Sequence, residues 1–151
     1  MLEAKTRMFS RDYTLFNNGI EIGFIEQSVW REKATLMVEG YSYDLYKNGI
    51  LSGGYRMETN GAVLADAQKS AWQHNYEIDC AEGHFSLKHR SIWGSDYVVL
   101  ANGQEIGSIS RASVWSRNAI VEIAGLSLVI SCFMLWLVVV SWQEAQAAAA
   151  H

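Results

Sequence analysis

Three copies of one pattern, 42 residues apart, govern what this chain can fold into. Tyr13, Tyr55 and Tyr97 share that spacing (55−13 = 97−55 = 42), and each lies five residues before an Asn-Gly pair: Asn18-Gly19, Asn60-Gly61 and Asn102-Gly103. Three residues after each Gly comes an aliphatic residue followed by a tiny one, Ile22-Gly23, Leu64-Ala65 and Ile106-Gly107, and then Ile25, Ala67 and Ile109. Trp30 and Trp72 keep the spacing, and one extra residue in the third copy moves the match to Trp115. A repeat of this kind is a supersecondary unit that cannot bury its apolar face alone, so the copies must pack on one another.

Each copy reads as a four-stranded meander. Asn-Gly between alternating residues is a hairpin signal, because both central positions of a type I′ turn need positive φ. It joins Tyr13–Asn17 to Ile20–Gln27, Tyr55–Thr59 to Ala62–Gln68, and Tyr97–Ala101 to Gln104–Arg111. A third strand is expected after each Trp, at Ala34–Glu39, Tyr76–Cys80 and Ala119–Ile123, and a fourth at Tyr41–Tyr46 and His84–Lys88, with Asn48-Gly49 as a further turn. The third copy lacks a fourth strand, and Lys5–Ser10 at the chain start is expected to supply it. The result is a closed barrel of about twelve antiparallel strands. Three blades are too few for a propeller, which typically has four to eight.

The second constraint is the run from Ile123 to Trp142, twenty residues without a charge. As a helix it spans about 30 Å, the thickness of a bilayer core. A helix apolar on all sides is buried in lipid or in protein. A twelve-stranded barrel leaves a lumen that one helix about 10–12 Å across can fill. The expectation is therefore a barrel wrapped around a central helix at about 124–145, with Gly23, Ala65 and Gly107 letting the wall approach it. The domain is placed at 1–146. Ala147–Ala150 and His151 either extend the helix or form a separate tail, and carry no weight in the fold argument.

These features resemble the tubby C-terminal-like superfamily, which includes the plant LURP-one-related proteins and the phospholipid scramblases; the chain looks like a short, single-domain, bacterial-type member. The residues that carry the resemblance are Gln68-Lys69-Ser70-Ala71-Trp72, then Tyr76-Glu77-Ile78, and the Leu-Val-Ile-rich terminal helix. It extends from about Lys5 to Trp142 and implies the barrel with its internal helix. It also implies association with phosphoinositide-containing membranes through basic side chains, or with calcium and lipid movement. Architecture and activity are separable, however.

The remaining residues limit the function. Net charge is −4 and the pI about 5.5, with no run of Lys or Arg. The densest basic cluster is Lys88-His89-Arg90, while Arg11, Arg31 and Lys33 are scattered. Lys69, Lys88 and Arg90 are the candidate ligand-binding residues, for a phospholipid or membrane surface or a protein partner; nucleic acid is not expected. An anionic-lipid patch normally needs clustered positive charge. No Asp-rich loop has calcium-ligand spacing. His74, His84 and His89 form no His-x-x-x-His pattern and Cys80 and Cys132 no Cys-x-x-Cys, so neither a metal nor another cofactor is expected. Ser70 and Ser113 lack a nucleophile elbow. Asp66 with Lys69, and Glu105 with Arg111, read as surface pairs. Trp30, Trp72 and Trp115 read as core or strand-end packing rather than as a binding platform. The start MLEAKTRMF has no apolar signal region, so a cytoplasmic location is expected, peripheral to a membrane if the chain binds one. Two readings follow. One is a non-enzymatic binding module with the helix inside. The other is a tail-anchored protein whose residues 123–142 span the bilayer, with the β domain cytoplasmic by the positive-inside rule.

Overall fold

The structure, a computed structural model, describes residues 1–7, 10–28, 33–49, 53–70 and 75–150. Twelve strands follow in chain order: β1 (Leu2–Thr6), β2 (Tyr13–Asn17), β3 (Ile20–Gln27), β4 (Lys33–Val38), β5 (Tyr41–Asn48), β6 (Gly54–Thr59), β7 (Ala62–Lys69), β8 (Tyr76–Cys80), β9 (Gly83–His89), β10 (Tyr97–Ala101), β11 (Gln104–Arg111) and β12 (Ala119–Ile123). One helix, α1, covers Leu128–Ala149. Every strand pairs antiparallel with its sequence neighbours, and Leu2 opposite Val121 and Ala4 opposite Ala119 join β1 to β12. The barrel is closed, which leaves no edge strand to pair with another chain.

The turns follow the Asn-Gly chemistry. Asn18, Asn60 and Asn102 lie at φ 51°, 50° and 52°, and the glycines after them at 83°, 79° and 80°. Glu39-Gly40 adopts the same pair of angles, 51° and 83°, although nothing in its composition announces a type I′ turn. Each Asn-Gly hairpin also carries one register shift, at Leu15/Phe16, Met57/Glu58 and Val99/Leu100. The same bulge accommodates Ala65 in the second hairpin, but at Gly23 and Gly107 the neighbouring strand takes the space of a side chain. A Cβ on Gly23 would lie 1.8 Å from the Met37 carbonyl oxygen, and one on Gly107 2.2 Å from that of Glu122. The close approach is therefore that of the neighbouring strand, β4 or β12, and not that of the helix.

The N-terminal strand lies at Leu2–Thr6, earlier than Lys5–Ser10. The reason is the 42-residue relation itself: its counterpart β5 ends at Asn48, which sets the end of β1 at Thr6 (48−42 = 6). Leu2 and Ala4 then point inward and are buried. The helix likewise starts later than the apolar run. Ile123 belongs to β12, the Ala124 amide donates to Ile106, and Gly125 turns the chain at φ 79°. Ser127 caps the helix by accepting from the Ile130 amide, while its own amide and hydroxyl donate to Glu82. That carboxylate also places negative charge at the positive end of the helix dipole. At the other end the helix continues through Ala149, so Ala147–Ala149 are part of it.

Ile130–Trp142 is buried without a break, thirteen successive residues, so α1 is covered on every side and fills the lumen. Inward strand residues meet it at two levels. Leu15, Leu36, Met57, Ile78 and Val99, each 21 apart, and Val121 after one inserted residue, are all at most 2% exposed. One step nearer the other rim are Tyr13, Ala34, Tyr55, Tyr76, Tyr97 and Ala119. The smallest unit is thus a 21-residue hairpin, and the 42-residue pattern comprises two of them. Trp136 sits in the middle, edge-on to Tyr55 at 5.7 Å and stacked on Phe133 at 6.3 Å.

Candidate functional site

Because strands alternate in direction, the β1–β2, β3–β4, β5–β6, β7–β8, β9–β10 and β11–β12 connections lie at one end of the barrel. The C-terminal end of α1 emerges there too; we call this the loop end. The tight turns and the start of α1 lie at the opposite, turn end. Arg31, His74, Trp30 and Trp72, and with them Ala71, fall outside the described residues.

Charge is divided between the two ends. All eleven described Lys and Arg residues lie in loop-end connections or in the loop-end half of a strand: Lys5, Arg7, Arg11, Lys33, Lys47, Arg56, Lys69, Lys88, Arg90, Arg111 and Arg117. Nine described carboxylates lie in the turn-end half: Glu3, Glu21, Glu39, Asp44, Glu58, Asp79, Glu82, Glu105 and Glu122. The other six, Asp12, Glu26, Asp66, Glu77, Asp96 and Glu144, share the loop-end half with the cations. The halves therefore carry +5 (11−6) and −9 (0−9) among the described side chains. A net charge of −4 conceals a strongly polar molecule.

The three candidate ligand residues take different positions. Lys69 lies at the loop-end rim of β7, ion-paired to Glu144 of the helix, with its ammonium 5.8 Å from the Tyr76 ring. Lys88 is exposed on β9. Arg90 follows β9, and its guanidinium reaches across β10 to Glu105 at 3.3 Å. All three are at the loop end, but they converge on no common pocket. The surface pairs differ from those expected as well. Asp66 pairs with Arg56 at 3.5 Å, its cross-strand partner, rather than with Lys69. Arg111 lies over the Trp142 ring at 4.9 Å, and Glu105 goes to Arg90. Sequence proximity along one strand is a poorer guide to pairing than the ladder is.

Around the exit of the helix the tyrosine hydroxyls find partners, as buried tyrosines must. Tyr76 bonds Ser141 at 2.7 Å and donates to the Leu137 carbonyl, Tyr97 bonds His89 at 2.9 Å, and Tyr13 donates to the Arg117 carbonyl. Trp142 Nε1 donates to the Ser95 carbonyl at 2.8 Å and Gln143 donates to Gln27. Burial pushes the Tyr13 and Tyr97 hydroxyls above the usual phenol range. It also pushes the Cys132 thiol up to about 12. The tyrosine, Trp142 and Gln143 bonds hold the helix end in place, while Cys132 lies buried near the other end of α1 and has neither the exposure nor the ionisation of a nucleophile.

Beyond this collar the loop end carries apolar tips. In the β9–β10 connection Ile92 is 87% and Trp93 92% exposed; in β11–β12, Val114 is 82% and Trp115 95% exposed. Trp115 is thus not packing, contrary to the expectation for the repeated tryptophans. It lies in a seven-residue connection (112–118) where no strand faces it. Trp93 escapes the 42-residue comparison but not the shorter one, since Ile92-Trp93 follows Ala71-Trp72 by 21 residues.

The turn end offers two other features. An open cleft of about 540 Å³ lies between β1, β11, β12 and the start of α1, lined mainly by Leu2, Ile106, Val121, Leu126 and Leu128, with Glu122 at its side. His84, exposed on β9, bonds Asp79 at 2.7 Å and Glu77 at 2.8 Å. Those two carboxylates raise its pKa above the ordinary histidine value, Asp79 most. Among the described residues no group of three or more His, Cys, Asp or Glu is arranged to hold a metal. Comparison of the chain with protein-family models, curated proteins and solved structures finds no match.

Proposed function

We propose that the protein is a non-enzymatic barrel of the tubby-like type that binds a negatively charged surface through its loop end. The observation that carries this reading is the segregation of charge: eleven described cations at the loop end and none in the turn-end half. Such a distribution steers a molecule toward an anionic partner with one end leading, whatever its net charge. The closed wall and its filled lumen supply rigidity rather than chemistry. Catalysis would need a nucleophile, a base and an electrophilic group within reach of one another, and the described residues offer no such set. The tail-anchored alternative requires Ile130–Trp142 to leave the lumen and give up thirteen buried positions, which would leave the barrel hollow.

Ion exchange tests the reading. A chain of pI about 5.5 is expected to pass through a cation exchanger at neutral pH if its charge is evenly spread. Retention at low salt is the expected result, with the Lys88→Glu, Arg117→Glu variant eluting earlier. Flow-through of the wild type would remove the basis of the proposal.

A further inference from the structure

We infer that the anionic surface is a lipid bilayer, and that the Ile92-Trp93 and Val114-Trp115 tips enter its interfacial layer while the barrel stands with its turn end away from the membrane. This rests on the reading of the loop end as an anion-binding face and names the partner for it. Four observations combine. The tips hold the most exposed large hydrophobic side chains of the described chain, at 82–95%. Each is an aliphatic residue followed by tryptophan, and tryptophan favours the boundary between headgroups and acyl chains, where its ring is apolar and its N–H is wet. Both tips stand at the end that carries every described cation, whereas the opposite end carries nine carboxylates and would be repelled by anionic headgroups. Finally, the end of α1 emerges at the same face as an uncharged stretch, with residues 145–150 exposed.

The shape of the tips favours a fluid partner over a folded one. They belong to separate connections with the β10–β11 hairpin between them, so each projects as a convex point rather than forming one wall of a groove. A rigid protein surface would need two matching pockets at that separation, whereas a bilayer accommodates any spacing. Attraction by cations and insertion of aromatic side chains are the two signals that together give stable yet reversible attachment.

The test uses the full chain and vesicles of phosphatidylcholine, alone or with about 30 mol% phosphatidylserine, an anionic content high enough to attract basic surfaces. The wild type is expected to sediment with the anionic vesicles and only weakly with the neutral ones. The double variant Trp93→Ser, Trp115→Ser is expected to lose about tenfold or more in vesicle affinity, from the apolar area withdrawn. Its unfolding temperature should be unchanged, since both side chains are almost wholly exposed. Tyr41→Ser, at the exposed turn end, should bind as wild type does. Equal binding of the double variant would overturn the insertion. A wild type held by the cation exchanger but indifferent to anionic vesicles would exclude the bilayer as the partner and leave the anion-binding face intact. Failure on both matrices would remove the anion-binding reading itself.

Discussion

Gly23 and Gly107 show how single residues fix the wall of this barrel. Each sits beside a bulge, where a neighbouring carbonyl occupies the space a side chain would need. Gly23→Ala should therefore destabilise by about 2 kcal/mol through overpacking, because the β4 backbone would have to shift to make room. Gly61→Ala, in open space but at φ 79°, should lose about 1 kcal/mol from backbone strain alone; the two denaturation midpoints compare them directly. Cys132, buried with its thiol pushed up to about 12, should resist alkylation in the native protein while the partly exposed Cys80 reacts. Mass spectrometry should show one adduct before denaturation and two after it. His84 sets a pH dependence. Its folded pKa is raised by Asp79 and Glu77, so the folded state binds the proton more tightly than the unfolded chain. Its contribution to stability is then fully present below the unfolded value of about 6.5 and is lost as pH rises through the folded value. An NMR titration should place the His84 midpoint above 6.5, and Asp79→Asn should lower it; an unshifted midpoint would contradict the hydrogen-bonded pair.

At the scale of elements, α1 is the core. Trp136→Ala, where Tyr55 of the wall packs on the helix beside Phe133 of the same helix, should cost about 3–5 kcal/mol, read as a lowered denaturation midpoint. A change within experimental scatter would mean that the lumen is not packed as described. The strands and the helix were legible in the sequence because their signals are local: Asn-Gly pairs, inward alternation, and a long uncharged run. What was not legible depended on partners. The Glu39-Gly40 turn has no Asn to announce it, and its conformation follows from the β4–β5 register. The start of α1 is displaced from about 124 to Leu128 because β11 holds β12 as far as Ile123 and Gly125 then turns the chain. Gly23 and Gly107 look suited to a nearby helix, but a strand is what approaches. Trp115 matches two other tryptophans by spacing, and spacing alone does not separate a packed aromatic from a projecting one.

The whole molecule adds a property that no stretch of sequence displays. Its Lys and Arg residues look scattered because each loop-end connection and the strand ends beside it contribute only a few, separated by an acidic turn. Once alternate strands reverse direction, those intervals become one basic end and one acidic end. The Lys88-His89-Arg90 cluster, the densest in the sequence, proves to be a part of that end and not a separate site. On the reading proposed above, the two tips, the charge division and the housed helix belong to a rigid body that would meet a membrane end-on without opening. Hydrogen exchange of the full chain with and without anionic vesicles tests this account most directly. It predicts added protection in 90–96 and 112–118, no change at the turns 18–19, 39–40, 60–61 and 102–103, and slow exchange of 130–142 in both conditions. Protection appearing at the turns, or amides of 130–142 exchanging faster once vesicles are added, would contradict it.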